Sequence, residues 1–318
     1  MRAPYDHTLV LADLPADPRW HFGGFPGGLE PLTLPFPDEP DRRAGRAPER
    51  FAETCREIAR LSRARLPDWQ QSATEDDSLF WFRWITGHQV SFVVWRLAGQ
   101  LLAGGGDPAT ALPRLQLYVD VYSAMLLYSG SCPRSVYHRT IRPSMQLRHP
   151  GFSGAWAPDY APVRHLLRGR SFGLAGSSSA SELDRRVEFN LHVHEYVAAK
   201  LVPDGVSLLR GSEPGSRRQD GRLLNMIFDN YFLTMRAPVS RAEVIAQLLR
   251  RIVAILDDLG SNGYRVEAVG EGVPAVLAAQ LRRCEQTIPQ ILDELARTAV
   301  SAELGTPRRR ELPVAVPL

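Results

Sequence analysis

Apolar residues return at intervals of three and four through most of this chain, and few stretches show the strict alternation of a half-buried strand. In ERFAETCREIARLSRARL, from about 47 to 66, Phe51, Cys55, Ile58, Leu61 and Leu66 repeat at near-helical spacing against a charged opposite face. That spacing predicts a first amphipathic helix. Thr74 followed by Glu75, Asp76 and Asp77 offers a capping oxygen and then acids for the positive end of a helix dipole, so a second helix is predicted from there to about Leu102. Further helices are predicted at about 111–129, 161–169, 181–202, 221–235, 240–259 and 271–302. The expected fold class is therefore all-α, with one helical domain over 47–303.

Proline and glycine mark what lies outside this pattern. Residues 1–46, as in HFGGFPGGLEPLTLPFPDEP, read as an irregular segment, and 304–318 as a flexible tail. From Tyr128 the stretch YSGSCPRSVYHRTIRPSMQLRHPGFSGAWAPDY has enough Gly and Pro to predict a long central loop. Loops of that length inside a compact domain are usually functional, and the aromatic, arginine-rich content of this one predicts that it lines a site.

Composition narrows the class. With 318 residues, 44% hydrophobic and 23% charged, the chain can bury a large core, which excludes general disorder. Its 38 basic and 35 acidic residues leave a net charge of only +3, which argues against nucleic acid as a partner. Cys55, Cys132 and Cys284 form no CxxC pair, as expected in a reducing cytoplasm. The first residues do not read as a signal peptide, and no apolar run reaches the roughly 20 residues of a membrane span. The expectation is a soluble, cytoplasmic protein without membrane contact. A homo-oligomer is compatible with the sequence, which does not fix the oligomeric state.

Two histidines stand out by position. Phe80, Trp84, His88, Phe92 and Trp95 follow one another by four, four, four and three residues, placing His88 within an aromatic stripe. Such a histidine is either bonded to a carbonyl in the core or handles protons in an apolar pocket. Val187, Leu191, His194, Ala198 and Leu201 step by four, three, four and three, the pattern of a buried seam. His192 shares a half-polar face with Arg185, Glu188 and Glu195. If one of the pair holds a buried metal or cofactor, His194 is favoured, and small Ala198 leaves room for something flat and bulky. HExxH is absent and no third ligand stands at metal-binding spacing, which suits zinc poorly. Haem needs only one axial histidine because the porphyrin supplies four donors. In the central loop, Arg134, Tyr137, His138, Arg139 and Arg142 include forks that match a carboxylate, although any of these arginines could equally bind a helix end or a surface acid. Cys132 has no evident neighbouring base and reads as packing.

Three stretches together resemble the histidine-ligated haem-dependent aromatic oxygenases, the superfamily that includes tryptophan 2,3-dioxygenase: WITGHQ (84–89), SGSCPRSVYHR (129–139) and FNLHVHEYVAAKLV (189–202). RPSMQLRHPGFSGAWAPDY and VHEYVAAKLVP are similar to the bacterial branch that hydroxylates L-tyrosine at C3 to L-DOPA for antibiotic pathways. The resemblance implies a helical haem domain, hydrogen peroxide as oxidant, His194 as the iron ligand and His88 as the distal histidine. It further implies Trp84 and Ala198 beside the cofactor, Trp81 and Phe92 as apolar walls, Arg139 at the amino-acid end of L-tyrosine and Tyr137 among the substrate-binding residues. The superfamily's loop is shorter between its Ser-Gly and its Arg, so Arg134 is a second candidate for the carboxylate. No cysteine follows His194 in the HxxxC spacing of the related methyltyrosine hydroxylases, which implies noncovalent haem b. Two rival readings stand beside this one: dioxygen insertion into tryptophan or another indole, and a non-enzymic helical ligand-binding or scaffold protein.

Overall fold

The computed structural model describes residues 29–39, 41, 50–67, 77–104, 107–169, 178–202, 208, 221–264 and 273–304. The described chain is overwhelmingly helical, as the periodicity predicts. Its longer helices are α1 (Phe51–Leu61), α2 (Asp77–Ala103) and α3 (Pro108–Ser129) in the first half, and α7 (Ser178–Leu201), α8 (Gly221–Tyr231), α9 (Arg241–Asn262) and α10 (Ala275–Leu304) in the second. Local chemistry sets their ends. The Asp107 carboxylate accepts from the amide of Ala109 at the start of α3, with Pro108 in the first turn where its missing N–H costs nothing. Ser240 and Glu243 form a reciprocal capping box at the start of α9, which stops at Gly263 in a left-handed conformation. The Thr74 cap, the tail beyond Leu304 and the loop RGSEPGSRRQD lie outside the described residues.

The stretch expected as a long central loop is largely helical. It runs through α4 (Arg134–Val136), a π-helical turn (Tyr137–Ile141), α5 (Arg142–Arg148), two 3₁₀ turns (Gly154–Trp156 and Pro158–Val163) and α6 (Arg164–Leu167). Pro143 and Pro158 sit in the first turns of their elements, where proline starts a helix instead of breaking one. A second difference is a small parallel sheet. In the segment expected to be irregular, β1 (Leu32–Leu34) pairs with β2 (Thr234–Arg236) in the register Leu32 to Thr234, with Leu32 and Leu34 fully buried.

α2 is buried around nearly its whole circumference from Leu79 to Gly99, which explains why its sequence is apolar on every side. It packs against α3, which also contacts α7 and α10 and so stands between the two histidine-bearing helices. One buried polar cluster ties these layers. Arg83 of α2, with no exposed surface, donates from Nε and Nη2 to the two oxygens of Asp258 on α9 at 2.8 and 3.1 Å, and from Nη2 to the Gly263 carbonyl at 2.7 Å. The Tyr128 hydroxyl, at the end of α3, donates to Asp258 Oδ2 at 2.7 Å. Among the described residues, no helix is long and apolar enough to cross a membrane.

Removing the carboxylate strands a buried guanidinium, a defect that costs about 3–5 kcal/mol. Asp258→Ala should lose that much in urea unfolding, and a loss below about 1 kcal/mol would show that the cluster does not hold α2, α3 and α9 together.

Candidate active site

A cavity of about 530 Å³ opens between α2, α3, the 137–168 segment, α7 and the end of α8. Its size falls in the range of small-molecule and cofactor sites. His88 and His194 both line it, together with Trp84, Tyr137 and Ala198. Two helices far apart in sequence thus deliver one imidazole each to one space.

His88 is held on three sides. Its Nδ1 lies 2.6 Å from the Trp84 carbonyl, so Nδ1–H donates and Nε2 keeps its lone pair. The ring stacks on Phe232 at 4.5 Å and 20° and lies 4.4 Å from the Trp84 indole. Burial drags its pKa down to about 4 against the pull of the Trp84 carbonyl, which leaves the imidazole neutral at physiological pH. Phe232 is itself fixed by the residue beside His88. Gln89 donates from Nε2 to the Phe232 carbonyl at 2.9 Å, and Arg251 donates from Nε to Gln89 Oε1 at 2.8 Å. The next residue, Leu233, has φ of 51° and gives its carbonyl to the Leu32 amide at 2.9 Å. The sheet therefore holds a conformation that a leucine rarely adopts. Phe232 follows Leu224 and Phe228 at steps of four, a spacing that reads as ordinary helix core; its place against His88 comes from the turn after α8.

His194 differs from the seam that its spacing predicts. The stripe does not pack against protein along its length: Leu191 is 38% exposed and His194 is exposed, and both line the cavity with Ala198 and Leu201. The side of α7 that packs on α3 carries Asn190, whose Nδ2 donates to Ser123 Oγ at 3.0 Å. His194 lines the cavity with part of its surface accessible, and the protein packed around the rest of the ring desolvates it in part. Desolvation lowers its pKa, with Glu195 pulling the other way. His192 is exposed and does not line the cavity.

The remaining expected site residues divide. Trp81 is buried outside the wall, edge-on to Tyr231 at 5.8 Å. Phe92 is buried behind His88, packed on Phe228 and Phe232. Arg134 is exposed, and Arg139 is turned outward to Asp77, with Nη2 2.5 Å from Oδ1 and Nε 3.3 Å from Oδ2. The arginine of this stretch that enters the wall is Arg142. Its guanidinium sits beside the Tyr137 hydroxyl, lowering a pKa that burial raises. The π turn explains this choice. Its widened register bonds the Arg142 amide to the Tyr137 carbonyl, so residues five apart come to one side. Neither a helix of 3.6 residues per turn nor a loop would predict that pairing.

Among the described residues no group of three His, Cys, Asp or Glu side chains could hold a metal ion. Two neutral imidazoles on separate helices, in a cavity with apolar walls, fit a ligand that brings its own equatorial donors, as a porphyrin iron does.

Residues 42–190, just under half of the chain, match the family described as SfmD 3-methyl-L-tyrosine peroxygenase. The chain is similar to SfmD-type peroxygenases. The matched stretch takes in Trp84, His88, Tyr137 and Arg142 and ends just before His194. It supports an oxidoreductase of the peroxygenase type. No curated protein matches the chain.

Because the folded pKa of His88 lies below the usual 6.5, its contribution to stability is complete above about pH 6.5 and is lost as pH falls toward 4. That loss amounts to up to about 3 kcal/mol. Without added cofactor, urea unfolding of the native protein should weaken more steeply between pH 7 and 4.5 than that of His88→Phe. Parallel losses would mean that the imidazole is not desolvated.

Proposed function

We propose that this protein binds noncovalent haem b through His194 and uses hydrogen peroxide to hydroxylate L-tyrosine at C3, giving L-DOPA in a natural-product pathway. The observation that carries this reading is the pair of neutral imidazoles lining one apolar-walled cavity, in a chain whose residues 42–190 are similar to a peroxygenase family.

When bound, haem supplies the redox chemistry that allows oxygen to pass from peroxide to a ring carbon. The protein's part is positioning and proton handling. His194, with its neutral lone pair, would hold the iron, and Ala198, one turn on, would leave room beside it for the macrocycle. His88 accepts a peroxide proton at Nε2 and returns it to the departing oxygen as water forms. The net change is a C–H bond and hydrogen peroxide giving a C–OH bond and water. A depressed pKa suits His88 to this work, because it stays in its base form at neutral pH. Trp84 and Phe232 exclude water beside it. Arg142, braced by Tyr137, takes the amino-acid carboxylate. It replaces Arg139, which is committed to Asp77, and Arg134, which lies outside the wall. The matched family's description names 3-methyl-L-tyrosine, so that amino acid is the second substrate to test. The peroxygenase match weighs against dioxygen insertion into an indole and against a scaffold.

Purified or haemin-loaded protein should show a Soret band. His194→Ala should lose or loosen the haem, and unchanged haem content would reassign the ligand. His88→Ala should keep haem and lose turnover by about 100-fold or more; normal DOPA formation would remove its role. Arg142→Ala should raise KM for tyrosine by about 10-fold or more while leaving tyramine, which lacks the carboxylate, little affected. Equal effects on both would place the carboxylate elsewhere.

A further inference from the structure

The described wall of the cavity contains two arginines, Arg142 and Arg168, and no carboxylate. Such a wall selects an anionic ligand. Depth separates the two cations. Arg142 is committed to the Tyr137 hydroxyl inside. Arg168 is exposed, and the cavity also reaches solvent at Gly154, Ala155 and Leu191. Its guanidinium makes no hydrogen bond or ion pair with the described residues.

The backbone that carries Arg168 is well anchored. Leu166 and Leu167 of α6 are each 5% exposed, and α6 packs against α7, the helix of His194. The Arg168 amide donates to the His165 carbonyl at 3.3 Å. Gly169, at φ of 68°, closes the turn with a 3.0 Å bond to Leu166 O. A rigid stem thus presents a cation at the edge of an apolar-walled cavity.

We propose that Arg168 is the anchor for a propionate of the porphyrin at the cavity mouth, an inference that rests on the haem reading above. The faces of a porphyrin are apolar and its two carboxylates are charged. Burying those carboxylates without partners is costly, so the macrocycle enters with its propionate edge toward solvent. That edge then meets the outer arginine and leaves the inner one for the substrate. The guanidinium fork forms charge-assisted bonds to such a carboxylate.

The test is a haemin titration of apoprotein followed at the Soret band, repeated with haemin dimethyl ester, which lacks the propionate charges. Arg168→Ala and Arg168→Gln should each weaken haemin binding by about 10-fold, with the Soret maximum unmoved because His194 is intact. Arg168→Lys should recover part of the affinity. With the dimethyl ester, native protein and variants should bind alike. Equal haemin affinity in native protein and Arg168→Ala would overturn the proposal. So would an equal loss with the ester, which would make the side chain mere packing. A variant that binds haemin normally but needs more tyrosine would assign Arg168 to the substrate and also overturn it. Native protein that takes up no haemin would instead bring down the haem reading itself, an outcome separate from the other three.

Discussion

A Cβ built on Gly130, at the end of α3, would lie 2.6 Å from Val197 Cγ1 of α7, and one built on Gly87 of α2 would lie 3.1 Å from Ser129 Cβ. Both close approaches converge on the last turn of α3, and each falls next to a histidine that lines the cavity: Gly87 precedes His88, and Val197 follows His194 by less than one turn. Hydrogen in place of a side chain lets three helices crowd together there. Lys200 donates to the Gly130 carbonyl at 3.1 Å and Asn190 to Ser123, which fixes α7 on α3 from either side of the contact. Asn190 and Val197 of this contact also border the cavity, so the adjoining strip of α7 with Leu191, His194 and Ala198 opens into it. The placement of both imidazoles depends on this crowding more than on any bond they make themselves.

Electrostatics completes the selection of a ligand. Desolvation keeps both imidazoles neutral, which favours Lewis-base chemistry over ion pairing. Among the described residues the wall has two arginines and no carboxylate, which repels bare cations and accepts anions. A flat apolar body with peripheral negative charge and a central Lewis acid satisfies all of these demands. A zinc ion can bind neutral imidazoles, but it needs three or four protein donors, and among the described residues no such group is found.

The sequence revealed the helices best where one face repeats over several turns, as in α2 and α7, and it singled out His88 and His194 because they interrupt such stripes. Periodicity could not say what covers a stripe. The residues from Val187 to Leu201 read as a seam against protein, yet part of that face lines a cavity. The 134–167 stretch was hidden by prolines in first turns and by a π register that no 3.6-residue period reproduces. Arg139 stood out through the resemblance, whereas this register brings Arg142 into the wall. β1 is three residues long, too short for alternation to register, and Phe232 owes its place to Gln89 and the Leu233 turn, contacts between distant segments. The tail and the Pro/Gly/Arg loop before α8 fall outside the described residues, so those expectations stand as sequence readings only.

Locating the iron tests the account most directly. Anomalous scattering at the iron edge from crystals of haemin-loaded protein should place one iron in the cavity, within bonding distance of the His194 imidazole, with the His88 ring across the open coordination position. Iron bonded to His88 or His192, or lying outside the cavity, would contradict it.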